Sequence, residues 1–261
     1  GMTAIGVDPR SPNGELARGD VVLRAYVPTD RAAVRDLCCR SAFRNMGVRA
    51  LIDDSELFGD FWASYYTDFE PESLLVAERE GRVIGYLMGC ADTERYRRVM
   101  ARVIVPRVLG RLVSRAVRGR YRNQPHARPF LRWLAVRSWR EEPAIDTKAF
   151  PGHYHVNLAR EGVRHRLYTS LGLRFLDQLD ARAVTHLHGQ VLDAEHDGVW
   201  DRMVRAFATH PECTLVRRWE KPSTLGRDVL GVSQPLVNRA FGSSVPVFRA
   251  WLHFLAGTYG L

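Results

Sequence analysis

His153 and His155 stand two residues apart in the run "HYHVNLA", whose alternation predicts a strand, so both rings leave the same face, followed by Asn157. An imidazole is close to neutral at working pH. Either ring therefore suits taking a proton from a bound group, directly or through water. The competing explanation is that one or both are ordinary hydrogen-bonded core residues. A second His-x-His occurs at His186 and His188. Four imidazoles are in principle ligands for zinc or another borderline metal, but no carboxylate or cysteine sits at a matching local spacing, and no metal is expected.

The strand runs into a loop and then a helix over 166–182, with Leu167, Leu171, Phe175 and Leu179 at near-fourfold spacing. Backbone N–H groups at a helix N-terminus, with the macrodipole behind them, bind phosphate. Glycines usually line such a loop because they permit close approach and unusual φ. Here the loop over 163–169 reads Val163, Arg164, His165, Arg166, Leu167, Tyr168, Thr169. Its bulky side chains either fill the phosphate volume, or Arg164 and Arg166 fork onto phosphate oxygens.

The elements that must position these residues are legible around them. Residues 2–19 are Pro/Gly/Asp-rich and aperiodic, so 1–19 are expected to be a flexible arm. "VVLRAYVP" predicts a strand, Asp30 caps a helix to about Phe43, and 55–69 form a helix with an aromatic face. Over 73–90, two apolar runs flank Arg79-Glu80-Gly81-Arg82, which predicts a hairpin with Gly81 at positive φ. Beyond the histidine strand come a strand at 184–192, a helix at 197–208 and a last strand at 213–221. Residues 222–261 read as a C-terminal extension with an aromatic stripe of Phe248 and Trp251, docked on the domain or on a homodimer partner.

Residues 91–150 break the rhythm. From Arg95 to Arg140 there are fourteen arginines and no acidic residue, with apolar residues interleaved at helical spacing and Pro106 placed to kink or split the helix. This run is a solvated face, a lid that recruits an anionic partner, or a phosphate-binding surface. Few aromatics precede Trp133, which counts against stacking on nucleic-acid bases. Part of the balancing charge must lie in the rest of the chain, which is net acidic. The whole chain of 261 residues carries a net charge of +9, with 46% hydrophobic residues, enough for a substantial core. Four cysteines without a CxxC pair, no apolar run approaching about 18 residues, and no N-terminal signal pattern set the expectation of a cytoplasmic protein without a membrane span.

"LLVAEREGRVIGYLMG", "HVNLAREGVRHRLYTSLGLRFL" and "HLHGQVLDAEHDGVWDRMVRAF" together resemble the paired second and third strands, the fourth strand with its acyl-CoA loop, and the fifth strand with its helix of the GNAT N-acetyltransferase superfamily. "IDTKAFPGHYHVNL" is similar to the acetyltransferase-like domains related to the C-terminal part of O-GlcNAcase. The resemblance covers roughly 20–92 and 146–221 of a domain at 20–221, and makes 91–150 an Arg-rich helical insertion between the third and fourth strands. It implies an α/β fold, a mixed V-shaped sheet flanked by helices, with acetyl-CoA where strands four and five splay. The family's loop glycines fall at Arg166 and Tyr168, and its usual Asn and Tyr fall at Glu195 and Arg202. By this resemblance acetyl-CoA lies along Val156, Asn157 and Leu158, the 163–169 loop and Glu195. His155 would deprotonate a small-molecule or peptide amine, His153 would orient it, and Asp146 is a possible partner of the histidines. The alternative is a catalytically inactive module of the same fold that binds an acidic partner through Arg95–Arg140.

Overall fold

The computed structural model describes residues 21–45, 47–164, 166–211 and 216–261. Its centre is a seven-stranded mixed sheet in the order β1-β2-β3-β4-β5-β7-β6. Strands β1 (Val21–Ala25), β2 (Leu74–Arg79), β3 (Arg82–Cys90) and β4 (Gly152–Leu158) form an antiparallel ladder. The β2–β3 turn places both Glu80 (φ 50°) and Gly81 (φ 73°) in the left-handed region, the geometry that matches a tight hairpin to strand twist.

The parallel step is between β4 and β5 (His186–Ala194), and it is short. Only Gly152 pairs with Leu187 and His153 with His188. Beyond that point the strands diverge, so the sheet splits into a V whose second arm is β5, β7 (Leu236–Ser244) and β6 (Arg217–Ser223).

Apolar side chains from the two sheet faces build two cores. On one face, α1 (Arg31–Asn45) and α2 (Ser55–Asp68) pack with Val76, Tyr86 and Met88. On the other, α7 (Leu167–Ala181) lays Leu171, Phe175 and Leu179, all fully buried, against Leu75, Leu87 and Val156. The terminal helix α9 (Val245–Tyr259) docks on α7, burying Trp251, Leu252 and Leu255. Residues 222–261 are therefore not an appendage to a domain ending at 221. They supply an inner strand and a packed helix of the same sheet domain.

Between β3 and β4, α3 (Thr93–Val99) passes through a π-helical turn at Met100–Ile104 into α4 (Val105–Val117), and α5 (Ala127–Val136) follows. Pro106 sits in the first turn of α4, where its missing N–H is tolerated, and the widened turn precedes it. The inward arginines of α4 meet acids of α2. Arg111 pairs with Glu56 and Asp60, and Arg115 with Glu56 at 2.6 Å and with the buried Asp54. Asp54 also accepts from Tyr121 at 2.7 Å and caps α2 through the Leu57 N–H. Part of the positive run is thus neutralised within the chain.

Candidate active site at the split of the sheet

Strand β4 sorts its side chains by parity. Tyr154 and Val156 join the α7 core, while His153, His155 and Asn157 face α1, α2 and α3. The histidine face and Asn157 therefore share one side of the sheet. The backbone sorts as well. Ala159 N–H donates to Ile84 O at 2.8 Å, which sets the ladder phase so that His153, His155 and Asn157 bond towards β3. The amides of Val156 and Leu158 are directed towards the gap that opens on the β5 side.

Two cavities flank this gap. The first, on the α7 side, is almost wholly apolar. Its walls are Tyr154, Tyr168, Trp200 and Phe207 of the helix α8 (Val199–Phe207), and Phe248 and Trp251 of α9. The second, on the other face, is lined by Tyr96 and Arg97 of α3, Glu142, His153, His155, His188 and Gln190. Tyr154 and Gln190 line both cavities, so the two approach each other through the split between β4 and β5.

The three imidazoles differ in what they can do. His153 is buried and fully engaged. Thr93 donates its hydroxyl to Pro151 O at 2.7 Å, so His153 Nδ1–H donates to Thr93 Oγ1 at 2.7 Å, and Nε2 accepts from Tyr66 O–H at 3.0 Å. Burial holds its pKa well below the ordinary value, with the neighbouring His188 and His155 adding to the effect. Both of its ring nitrogens are thus taken by protein partners, while the ring itself still lines the cavity. His188 donates Nδ1–H to Phe150 O at 2.8 Å, and burial pushes its pKa down to about 4 against that bond. His155 is half-buried, with its ring edge-on to Tyr66, and burial pushes it down to about 3. A base that weak takes a proton from an amine poorly. Among the described residues, no three His, Cys, Asp or Glu side chains are placed to hold a metal ion.

Asp146 does not join the histidines. It is exposed, and its carboxylate accepts the Ala149 N–H at 3.1 Å to shape the turn before β4. Asn157 donates to the Tyr86 hydroxyl, so its side chain is directed away from the apolar cavity. Glu195 is exposed in the turn after β5, held through its backbone N–H to Pro235 O and its carbonyl to Arg239.

The loop divides. His165 and the side chains of Val163 and Arg164 lie outside the described residues. Gly162 is packed so close to β3 that a Cβ would lie 2.8 Å from Ile84 O. That glycine serves the packing of the short helix α6 (Arg160–Arg164), not an open phosphate cradle. Arg166 caps α7 with φ 55°, the left-handed conformation that favours glycine, and its side chain is exposed. The backbone thus keeps a glycine-type bend without the glycine. Leu167 and Thr169 are buried; Thr169 donates its hydroxyl to the Leu261 carbonyl. Tyr168 turns into the apolar cavity, its hydroxyl 3.0 Å from that of Tyr154 and its ring beside Trp200. Burial pushes the Tyr168 hydroxyl up to about 12, partly opposed by Tyr154.

Sequence reasoning missed Tyr66, Thr93, Glu142, Gln190 and Trp200. Glu142 had a signal. With Glu141 it supplies the first negative charge after the acid-free run. Glu141 is spent on structure, accepting from Trp133 and Thr224, whereas Glu142 lines the cavity and accepts from Gln190 Nε2 at 3.0 Å.

Neither the sequence profiles of known families nor the curated proteins give a match. Solved structures do. The protein termed SsHAT superposes with a TM-score of 0.57 at 24% identity, over 87% of this chain and 98% of that one. YncA from Salmonella typhimurium, solved with its cofactor acetyl-CoA, gives 0.46 at 10% identity, over 87% and 95%. The Drosophila melanogaster polyamine N-acetyltransferase gives 0.45 at 10% identity, over 86% and 100%.

Proposed function

The chain has the fold of the GNAT acetyltransferase superfamily, and on that premise we propose that it is an acetyl-CoA-dependent N-acetyltransferase acting on an amine. The observation that carries this reading is the pair of cavities on opposite faces of the sheet, which meet at the β4–β5 split and share Tyr154 and Gln190. Two reactants that enter from opposite faces can meet only at such a gap.

The residues present suit the cofactor in kind. The apolar walls formed by Trp200, Phe248 and Val191 suit a thioester-bearing arm. The amides at the α7 N-terminus, the bend at Arg166 and the arginines Arg164 and Arg166 suit phosphate. Bound there, acetyl-CoA supplies an activated acyl group. The chain's own contributions are to hold that group beside the Val156 and Leu158 amides, to keep water out with aromatic side chains, and to present the amine from the histidine side. His155 stays neutral and adds no repelling charge to an incoming ammonium.

Isothermal calorimetry with acetyl-CoA tests the reading. Weak binding is expected, because Arg166 and Tyr168 stand where glycines would allow closer approach. Arg164→Ala should weaken acetyl-CoA more than it weakens acetyl pantetheine, which lacks the nucleotide phosphates. Equal loss for both removes the phosphate role.

One observation favours a second reading, a non-catalytic module. The Tyr154 and Tyr168 hydroxyls bond to each other inside the apolar cavity. If the wild-type chain shows no binding heat and Tyr168→Gly does, that cavity is closed by Tyr168 and the second reading is the better one.

A further inference from the structure

We infer that Glu142, anchored by Gln190, is the group on which the ammonium of the acceptor lands. This rests on the acyl-transfer reading of the same site, and it places the ammonium on a residue that lies on neither strand of the split.

Glu142 precedes β4 and is half-buried at the cavity on the histidine side, so it is reachable from solvent. Gln190 fixes it. The Gln190 amide donates from Nε2 to Glu142 Oε2 at 3.0 Å, and Gln190 is itself one of the two residues that line both cavities. A cation held by Glu142 is therefore held beside the gap in the sheet.

The walls suit a cation. Tyr96 offers an aromatic surface, and the three imidazoles are neutral through the physiological range. Arg97 lines the same cavity, but its guanidinium bonds to Thr147 at 3.0 Å and lies 3.4 Å from Glu94. Among the groups that line the cavity, Glu142 is the carboxylate. The ligand class is an alkyl ammonium on a slender chain.

The test uses the full chain with n-butylammonium as the probe and neutral 1-butanol as its control, followed by the NMR signals of the pocket histidines. Wild-type protein is expected to bind n-butylammonium and to prefer it over 1-butanol. Glu142→Gln keeps shape and the Gln190 bond but loses the charge, and should weaken n-butylammonium roughly tenfold to a hundredfold, the worth of a charged hydrogen bond, with 1-butanol unchanged. Gln190→Leu removes the bond that positions the carboxylate and should weaken the probe to a smaller extent; it supplies the readout if Glu142→Gln fails to fold. Binding unaffected by either substitution, or no preference for the ammonium over 1-butanol in the wild type, overturns the inference. The same samples titrated with acetyl-CoA separate the two claims. Ammonium binding that needs Glu142 without any acetyl-CoA binding keeps this site and removes the acyl-transfer reading. Acetyl-CoA binding with Glu142→Gln silent towards the amine does the reverse.

Discussion

The two cavities beside β4 are built by adjacent residues of one strand, yet one is lined by Tyr154, Trp200, Phe248 and Trp251 and the other by imidazoles, Tyr96 and Glu142. A strand period of two is enough to produce that contrast, because every second side chain crosses the sheet. The apolar side is fixed by packing: α7, α8 and α9 all bury aromatic or aliphatic side chains there. The titratable side is fixed by hydrogen bonds, chiefly the Tyr66–His153–Thr93 chain. Each face is therefore broken by a different kind of substitution.

The largest effect is expected at His153. His153→Ala removes a buried ring and strands the Tyr66 hydroxyl, at a cost of about 2–4 kcal/mol, read as a lowered urea midpoint. His155→Ala, half-buried, should cost clearly less. Equal losses at the two positions would dissolve the distinction between the buried, doubly hydrogen-bonded ring and the half-buried one.

The acid limb of stability comes next. His155 and His188 are pushed down to about 3 and about 4 by burial, and His153 lies well below its ordinary value. In the unfolded chain each titrates near 6.5. Between that value and the folded ones, the unfolded state takes up protons that the folded state refuses. Stability is therefore full above about pH 7 and falls as pH drops below 6.5. The slope is up to about 1.4 kcal/mol per pH unit for each histidine. The carboxylates held low by hydrogen bonds, Asp54 by Tyr121 and Arg115 and Glu56 by Arg115 and Arg111, lose their contribution only in stronger acid, so the window from pH 6.5 to 5 belongs to the imidazoles. Urea midpoints that stay flat between pH 7 and 5 contradict this assignment.

How much of this was legible follows from where hydropathy and chemistry agree. The hairpin turn at Arg79–Arg82 and the apolar face of α7 were readable because local pattern and tertiary role coincide. Strand β7 was not, because its run carries Asn238 and Arg239, which look like solvent-facing residues. Both are buried. Arg239 is satisfied by Asp193 at 3.2 Å, Glu220 at 3.0 Å and the carbonyls of Ala194 and Glu195 at 2.6 Å each, a set of partners drawn from two other strands and the turn after β5. The site was legible along β4, where the i, i+2 histidines mark a face. Glu142 and Gln190 were hidden because their juxtaposition depends on the β4–β5 split and not on any local spacing.

The smallest expected effects lie at the α7 N-terminus. Arg166→Gly should raise stability by up to about 1 kcal/mol, since the left-handed bend strains any side chain and this one is exposed. It should also weaken acetyl-CoA if the guanidinium meets phosphate. Tyr168→Phe should cost about 1 kcal/mol by breaking the Tyr154–Tyr168 bond, and leave the titratable cavity untouched.

The central claim, that cofactor and amine approach from opposite faces of the split sheet, is tested most directly by amide hydrogen exchange with and without acetyl-CoA. The expected result is added protection in β4 over 154–158, at the first turn of α7 and in α8, with α3 and the Glu142 segment unchanged. Protection confined to α3 and the Glu142 segment, or none anywhere at saturating acetyl-CoA, would contradict it.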